Sequence, residues 1–349
     1  MSLIDYLRVI RSTNMGPVGF RYLFNQCGGV NIIKYLEDVN YRWNGRSVEL
    51  KSERDIVNEI NATYELGFSY VVFGDEYYSK YLGKSYEMSP ILMVKGNKEL
   101  LKTPIVGIVG MRNASANGVG FTKQIARSVV ANDLTVCSGG AIGIDTAAHL
   151  GSMPKTICVL PSAGDNLYPM ENSVLFDDIS RNGLLLTDVA VGSAITKASF
   201  LKRNKIIAAL SDVICVMESG ENSGALFTAK TAMSYGKRIL AVPGHPLDTR
   251  YEGNNRLIRD FHVGPLLSID DITRAYFIKS NIFKEDCDIR SVSAIIVQKV
   301  YDKLDLTPIH VNDLCCECGL NISEVMCALG ELSVVNRVCI ESMMVCKLI

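Results

Sequence analysis

The fold is decided by Ile105-Val106-Gly107-Ile108-Val109, a continuously apolar run followed by a Gly-rich turn and a segment of helical length. Strands that are apolar at every position are buried on both faces, as in parallel sheets covered by helices. Similar runs recur at residues 134–137, 156–160, 184–187, 212–217 and 238–242. Right-handed crossovers between such units predict an α/β fold with one open, Rossmann-like, mostly parallel sheet flanked by helices.

Helical segments precede and follow the predicted sheet. Residues 3–10 have apolar positions at helical spacing, and Pro17 is predicted to begin a second helix. Two helices joined by a Gly-bearing turn resemble a helix-hairpin-helix, which serves either as a packing unit or as a DNA contact. After about residue 280 the pattern is helical again and ends in short apolar pairs, which predicts a winged helix.

We therefore predict three domains. They are a small N-terminal helical domain with its linker at 1–84, the Rossmann-like domain at 85–275, and a winged-helix-like domain at 290–349. The last carries more acidic than basic residues, which favours a protein contact or a regulatory role over reading of the major groove.

The composition excludes several classes of protein. With 48% hydrophobic and 21% charged residues, the 349-residue chain is typical of folded globular proteins. The net charge of -1 argues against coating DNA through bulk charge, so any nucleic-acid contact must be local. The longest apolar stretch, at 206–217, is interrupted by Asp212 and is too short for a membrane span, and the N-terminus lacks signal-peptide features. We expect a cytoplasmic protein without a membrane partner.

No metal site or cofactor is predicted. The 11 cysteines include Cys315, Cys316 and Cys318, which have neither a repeated C-x-x-C spacing nor a spaced His pair, so we interpret them as reduced thiols. The first strand-helix turn, at 110–118, lacks the G-x-G-x-x-G spacing with which a dinucleotide pyrophosphate approaches the backbone.

Ligands of open parallel sheets bind at the carboxyl ends of the strands, so function is expected in the turns. Arg112 lies in the first turn, where a helix N-terminus attracts anions, and it is either a phosphate contact or an ordinary surface arginine. The second turn, at 138–145, contains three glycines that allow close backbone approach, and Asp145 is predicted to be the N-cap of the next helix.

The segment Lys197–Lys205 is the densest positive patch, with four basic residues, no acidic residue and the aromatic Phe200. A cationic track with an aromatic ring suits single-stranded nucleic acid, because unpaired bases stack on aromatic side chains. The alternative is a solvated helix start. The apolar residues 206–210 favour the first interpretation, since a buried helix face would hold the patch rigidly.

The order of these turns resembles the DprA/Smf family of DNA-processing proteins. The resemblance is strongest from about residue 85 to 262, and the motifs that carry it are Ser138–Asp145, Tyr168-Pro169-Met170-Glu171-Asn172, Lys202–Ala208, Ser223–Ala229 and Gly253–Asp260. It implies a protein that binds and protects incoming single-stranded DNA during natural transformation, loads RecA recombinase and forms a homodimer. It implies no catalysis.

The resemblance also implies the residues that contact DNA. They are Gly110, Arg112, Ser138, Gly139, Phe200, Lys202, Arg203 and Asn204. Two positions depart from the family pattern. Met111 stands where Ser or Thr is common, and Lys205 stands where Arg is common. At position 205 a lysine ammonium therefore replaces a guanidinium that could bind a phosphate through two hydrogen bonds.

The alternative function is enzymatic. Related Rossmann-like sheets occur in nucleotide phosphoribohydrolases of the lysine-decarboxylase-like family, which cleave an N-glycosidic bond. Their phosphate-binding motif, P-G-G-x-G-T, is missing from the corresponding loop at 222–228.

Overall fold

A computed structural model gives the architecture of the protein. It divides into two compact units, Met1–Ala275 and Tyr276–Ile349. The structure describes residues 2–28, 32–38, 41–78, 82–83, 85, 87–221, 223–284, 289–305, 307, 309–334, 338–341 and 344–347. Asn222, part of the loop considered above, lies outside these residues.

The first unit is built around one large sheet. Its strands, among the described residues, are β3 (Ser69–Val72), β4 (Ile91–Gly96), β5 (Ile105–Val109), β6 (Thr135–Ser138), β7 (Thr156–Val159), β8 (Leu184–Thr187), β9 (Val213–Val216), β10 (Arg238–Ala241) and β11 (Gly264–Pro265). Their spatial order is β11-β10-β9-β5-β6-β7-β8-β4-β3. Neighbours from β11 to β8 are parallel, whereas β4 is antiparallel to both β8 and β3.

The prediction of an open, mostly parallel α/β sheet is confirmed. Each of the six predicted strands is present within one residue at either end. Sequence analysis missed the two-residue β11, and it missed β3 and β4 because the first ninety-odd residues were interpreted as short helices. The sheet thus begins before residue 84, and the division between an N-terminal and a Rossmann-like domain stays a prediction.

Helices cover both faces of the sheet. They are α5 (Ala116–Ala131), α6 (Ile144–Ser152), α7 (Ser173–Asn182), α8 (Lys197–Leu210), α9 (Gly224–Ser234), α10 (Glu252–Phe261) and the first part of α11 (Ile269–Lys284). Apolar side chains of α8 and α9, including Ile206, Leu210 and Leu226, pack with β5 and β9 in the main core. Burial of each such side chain contributes about 1.5–3 kcal/mol to the free energy of unfolding.

The N-terminal helices form a second core in the same unit. They are α1 (Leu3–Ile10), α2 (Pro17–Gln26), α3 (Ile32–Asp38) and α4 (Glu53–Glu65), with a hairpin of β1 (Arg42–Trp43) and β2 (Arg46–Ser47) before α4. The predicted start of α2 at Pro17 is confirmed. Phe20 of α2 is fully buried among Leu7, Leu23 and Ile56.

The second unit has the predicted winged-helix-like arrangement. It contains α12 (Ile289–Lys303), β12 (Ile309–His310), α13 (Val311–Cys318), α14 (Ile322–Val334), β13 (Val338–Glu341) and β14 (Met344–Lys347). The strands form an antiparallel sheet in the order β12-β14-β13. Among the described residues of both units, none of the helices combines the length and apolar character required to cross a membrane.

Candidate nucleic-acid interface

The strand order reverses between β5 and β9. The chain leaves β5 through α5 toward β6, whereas β9 leads through α9 to β10 on the other side of the sheet. Such a switch point leaves a crevice at the carboxyl ends of the strands. A cleft of about 490 Å³ lies there, and its lining includes Gly110, Arg112, Phe200, Arg203, Asn204 and Gly224.

Three helices begin near this edge with hydroxyl caps. Ser115 accepts a hydrogen bond from Gly118 N at α5 (2.9 Å), and Ser223 accepts one from Leu226 N at α9 (3.1 Å). Thr196 forms a capping box with Ser199 at α8. Helix N-termini carry a partial positive charge, so several helix dipoles favour an anion at this edge of the sheet.

Arg112 and two aromatic rings form a platform at the cleft. The Arg112 guanidinium lies 5.5 Å from the centre of the Phe200 ring, which meets the Tyr168 ring edge-on at 5.8 Å. Arg112 is exposed and Phe200 is half-buried. Both also line a smaller cavity of about 90 Å³ with Gly139 and Tyr168. The platform offers a cation for a phosphate and ring faces for an unpaired base.

Arg203 lies deeper than the sequence suggests. It is only 7% exposed, and its Nη1 lies 3.4 Å from Asp145 Oδ2, whose carboxylate also accepts a hydrogen bond from Ala141 N at 3.2 Å. The Arg203 Nε is buried and has no hydrogen-bond partner within the described chain. Arg203 still lines both cavities, so it contributes positive charge from below the surface.

The predicted N-cap role of Asp145 is wrong. The N-cap of α6 is Gly143, at φ +87°, and Asp145 lies inside the first turn of the helix. A Cβ at Gly143 would approach the carbonyl oxygen of Arg112 to 2.3 Å, so glycine is required where the turns after β5 and β6 meet. The Asp145 carboxylate is thereby free to serve as the counter-charge of Arg203.

Ser138 and Gly139 support the cleft in different ways. Ser138 is fully buried, and its hydroxyl donates to the carbonyl of Ile108 at 2.7 Å, so its side chain acts as a brace beneath the turn. At Gly139 a Cβ would lie 1.1 Å from Arg203 Nη1, so the guanidinium occupies the space that any side chain would take.

The remaining predicted residues have separate positions. Gly110 lines the larger cleft, and a Cβ there would come within 2.5 Å of Ile144. Asn204 is buried, and its Nδ2 donates weakly to Gly224 O at 3.4 Å. Lys202 is exposed beside the cleft residues of α8, whereas the Nζ of Lys205 is paired with Glu87 at 2.5 Å. The basic segment is thus the first turns of a helix, with exposed and buried members.

Two buried side chains that sequence reasoning did not place among the site residues, Asn172 and Glu218, support the site. Asn172 is buried, and its Nδ2 donates to Gly140 O and to Thr146 Oγ1, both at 2.9 Å, which holds the second turn in place. The Glu218 carboxylate is fully buried and accepts from Ser115 N at 2.9 Å, from the Ser115 hydroxyl and from Tyr251 Oη at 3.0 Å. Glu218 therefore joins the turns after β5 and β9.

Glu171, which lines the smaller cavity, is exposed, whereas His149 and the sheet cysteines, which could also act in acid-base or nucleophilic chemistry, are buried. His149 is fully buried, its Nδ1 lies 2.8 Å from Thr156 Oγ1, and burial lowers its pKa to about 3. Burial likewise raises the pKa values of the Cys137, Cys158 and Cys215 thiols. These groups are neutral and enclosed at neutral pH, which makes them poor catalysts for a ligand in the cleft.

Two family models match the chain. The model for DNA recombination-mediator protein A covers residues 69–277, and that for the DprA-like N-terminal HHH domain covers residues 2–62.

Known proteins give concordant similarities. The DNA processing protein DprA of Streptococcus pneumoniae is 36% identical over 189 residues, which are 53% of this chain and 67% of that protein. Its X-ray structure has a TM-score of 0.58 at 28% identity and covers 74% of this chain and 98% of that one. A structure of DNA processing protein A from Helicobacter pylori, described for its single-stranded DNA binding mode, has a TM-score of 0.56 at 28% identity, covering 61% and 98%.

Proposed function

The chain belongs to the DNA recombination-mediator protein A (DprA/Smf) family of DNA-processing proteins, and from this premise we propose that it binds single-stranded DNA at the carboxyl edge of its sheet. The observation that carries the proposal is the platform of Arg112, Phe200 and Tyr168 at the mouth of the 490 Å³ cleft. Phosphates lie on Arg112 and Lys202, with Arg203 adding charge from below, and a base stacks on Phe200. Binding tolerates any sequence, because stacking and phosphate contacts do not read base edges.

The proposed activity is binding without a chemical step. It is supported by the burial of His149 and of the sheet cysteines, and by the use of the Glu218 carboxylate in hydrogen bonds between turns. Asp145 is likewise engaged by Arg203.

The test is a mobility-shift titration with single- and double-stranded oligonucleotides of one sequence. The single strand should bind far more tightly than the duplex. An Arg112→Ala/Lys202→Ala variant removes two phosphate contacts. Each contact contributes about 0.7 to the slope of log K against log salt, which corresponds to a factor of about 5 in affinity at about 0.1 M salt. The affinity of the variant should therefore fall about 25-fold at that salt concentration.

A control variant carries the same loss of charge elsewhere. Arg127 lies near the carboxyl end of α5, about 16 Å along the helix from its start, and Lys155 precedes β7 at the opposite edge of the sheet. Arg127→Ala/Lys155→Ala should bind as the wild type does. Equal losses of affinity in both variants would show that binding depends only on the overall charge of the protein, and would refute the proposed site.

We also propose the finer roles that the family suggests: a cytoplasmic homodimer that protects incoming DNA in natural transformation and transfers it to RecA recombinase. Sedimentation should give twice the chain mass of 38.3 kDa. Purified RecA should form filaments faster on single strands that carry the protein, and an unchanged rate would contradict the transfer role.

A further inference from the structure

A cluster of surface aromatic side chains lies on the N-terminal helices, apart from the cleft. The Trp43 ring lies 5.3 Å from the Tyr22 ring, and the Tyr35 ring lies 5.8 Å from the Tyr41 ring. Desolvation raises the pKa of Tyr41, and the nearby Tyr22 and Tyr35 raise it further, so the two ring pairs are neighbours. Tyr22 is 47% exposed and Tyr35 is 43% exposed. We call these four rings, with Arg42 and Arg46, the hairpin patch.

The local backbone fixes the position of Trp43. Residues Asn44 and Gly45 have φ of +49° and +76°, the left-handed values of a tight two-residue hairpin turn. Trp43 then packs over α2, where a Cβ at Gly19 would lie 3.2 Å from Trp43 Cε2. The ring is held in place from below while part of its surface meets solvent, as a stacking platform requires.

The arginines of the patch have no acidic partner among the residues that the structure describes. Arg42 and Arg46 are exposed, and neither makes an ion pair with any residue that the structure describes. Elsewhere in these helices Arg8 pairs with Glu37 at 3.3 Å, and Arg11 pairs with Glu59 at 3.0 Å. Aromatic faces beside unpaired arginines complement an unpaired polynucleotide, whose bases stack and whose phosphates need cations.

The α1–α2 turn, which a helix-hairpin-helix would offer to DNA, is already occupied. Thr13 N donates to Glu49 O at 3.2 Å, and Glu49 N donates to Thr13 Oγ1 at 3.0 Å. The Asn14 Nδ2 donates to Ser47 O at 3.0 Å. Ser47 of the hairpin and Glu49 after it therefore cover this turn, and the hairpin carries the exposed Arg42 and Arg46 and the half-buried Trp43 of the patch.

The hairpin patch and the cleft both belong to the first unit. Asp188 follows β8, and desolvation raises the pKa of its carboxyl, while the charges of Lys202 and Arg11 both lower it. Arg11 ends α1, on the turn whose Asn14 contacts Ser47 of the hairpin.

We propose that the hairpin patch is a second contact for single-stranded DNA, reached by the same strand that lies on the sheet edge. The inference rests on the proposed function, since it extends the path of that strand.

Trp43 is the single tryptophan of the chain, so its emission reports the hairpin in the unmodified full-length protein. A 5′-labelled oligothymidylate of about 20 nucleotides, longer than the roughly 4–16 nucleotides that one site covers, reports binding anywhere through its anisotropy. Binding of this oligonucleotide should quench Trp43 emission, whereas a duplex of equal length should not.

Variants test the phosphate contacts without disturbing Trp43. Arg42→Gln/Arg46→Gln should make the log-log salt slope shallower by about 1.4, at about 0.7 per contact. The control Lys51→Gln/Arg54→Gln removes equal charge from exposed positions before and within α4 and should leave the slope unchanged.

The two readouts separate the possible failures. If anisotropy reports binding while Trp43 emission and the salt slope of the hairpin variant stay unchanged, the hairpin contact is refuted and the proposed function stands. If the single strand gives no anisotropy change at all, both proposals fail. Equal quenching by the duplex would refute the stacking of unpaired bases on the patch.

Discussion

Replacing Asp145 by Asn tests the buried pair beneath the cleft. Oδ2 of Asp145 faces both the Arg203 guanidinium and Ala141 N. An Asn side chain with its oxygen in that place keeps both hydrogen bonds and loses only the charge. Arg203 stays protonated at any ordinary pH, so the substitution leaves a cation in the interior without a counter-charge.

The expected cost follows from the burial of both partners, whose side chains are each 8% exposed. Breaking a buried ion pair by removing one partner costs about 3–5 kcal/mol. A domain of this size loses roughly 2–4 °C in Tm per kcal/mol, so the first unit should melt about 6–20 °C lower. Thermal unfolding followed by circular dichroism or calorimetry measures this directly.

A double-mutant cycle identifies the cause. Arg203→Met removes the stranded cation, so Asp145→Asn/Arg203→Met should be more stable than Asp145→Asn alone. A single variant within about 1 kcal/mol of the wild type, or a double variant whose loss equals the sum of the single losses, would refute the account of the pair.

Three further outcomes are expected. Gly139→Ala places a Cβ 1.1 Å from Arg203 Nη1, so the guanidinium must move. We expect the affinity for single-stranded DNA to fall about fivefold at about 0.1 M salt, which corresponds to the loss of one phosphate contact. An anisotropy titration identical to that of the wild type would contradict this. His149 has a pKa of about 3 when folded against about 6.5 when unfolded, so its neutral form stabilises the fold above pH about 6.5 and that stability is lost as the pH falls. Between pH about 7.5 and about 5.5 the wild type should lose about 1.3 kcal/mol more than His149→Gln in denaturant unfolding; equal losses would show that His149 does not titrate this way. Glu218→Gln turns an amide toward the Ser115 donors and should cost about 1–3 kcal/mol, which an unchanged denaturation midpoint would exclude.

The central strands were predictable because each is apolar at every position. Such a run signals burial on both faces, and the observed β5 and β8 begin and end at the predicted residues. The edge strand β3 carries a weaker signal, since only Val71 of its four residues is buried and its neighbours are exposed or half-buried. Ile91–Val94 of β4 is apolar, but position in the sequence did not separate it from the helical segments before it.

The site was only partly predictable, because its decisive contacts join distant residues. Arg112 and Phe200 are separated by most of the Rossmann-like sheet in sequence, and both line one cleft. Residue types could not foretell that Arg203 would find Asp145 at a separation of 58 positions, or that Ser138 would be fully buried. Residue types also could not show that Gly143, and not Asp145, is the N-cap of α6, because this depends on the close contact between the turns after β5 and β6.

The salt dependence of single-strand affinity tests the central claim most directly. The three to four phosphates held at the sheet edge should contribute about -2 to -3 to the slope of log K against log salt, and Arg112→Ala/Lys202→Ala should make the slope shallower by about 1.4. A slope identical in the wild type and in this variant would show that DNA does not lie at the carboxyl ends of the strands.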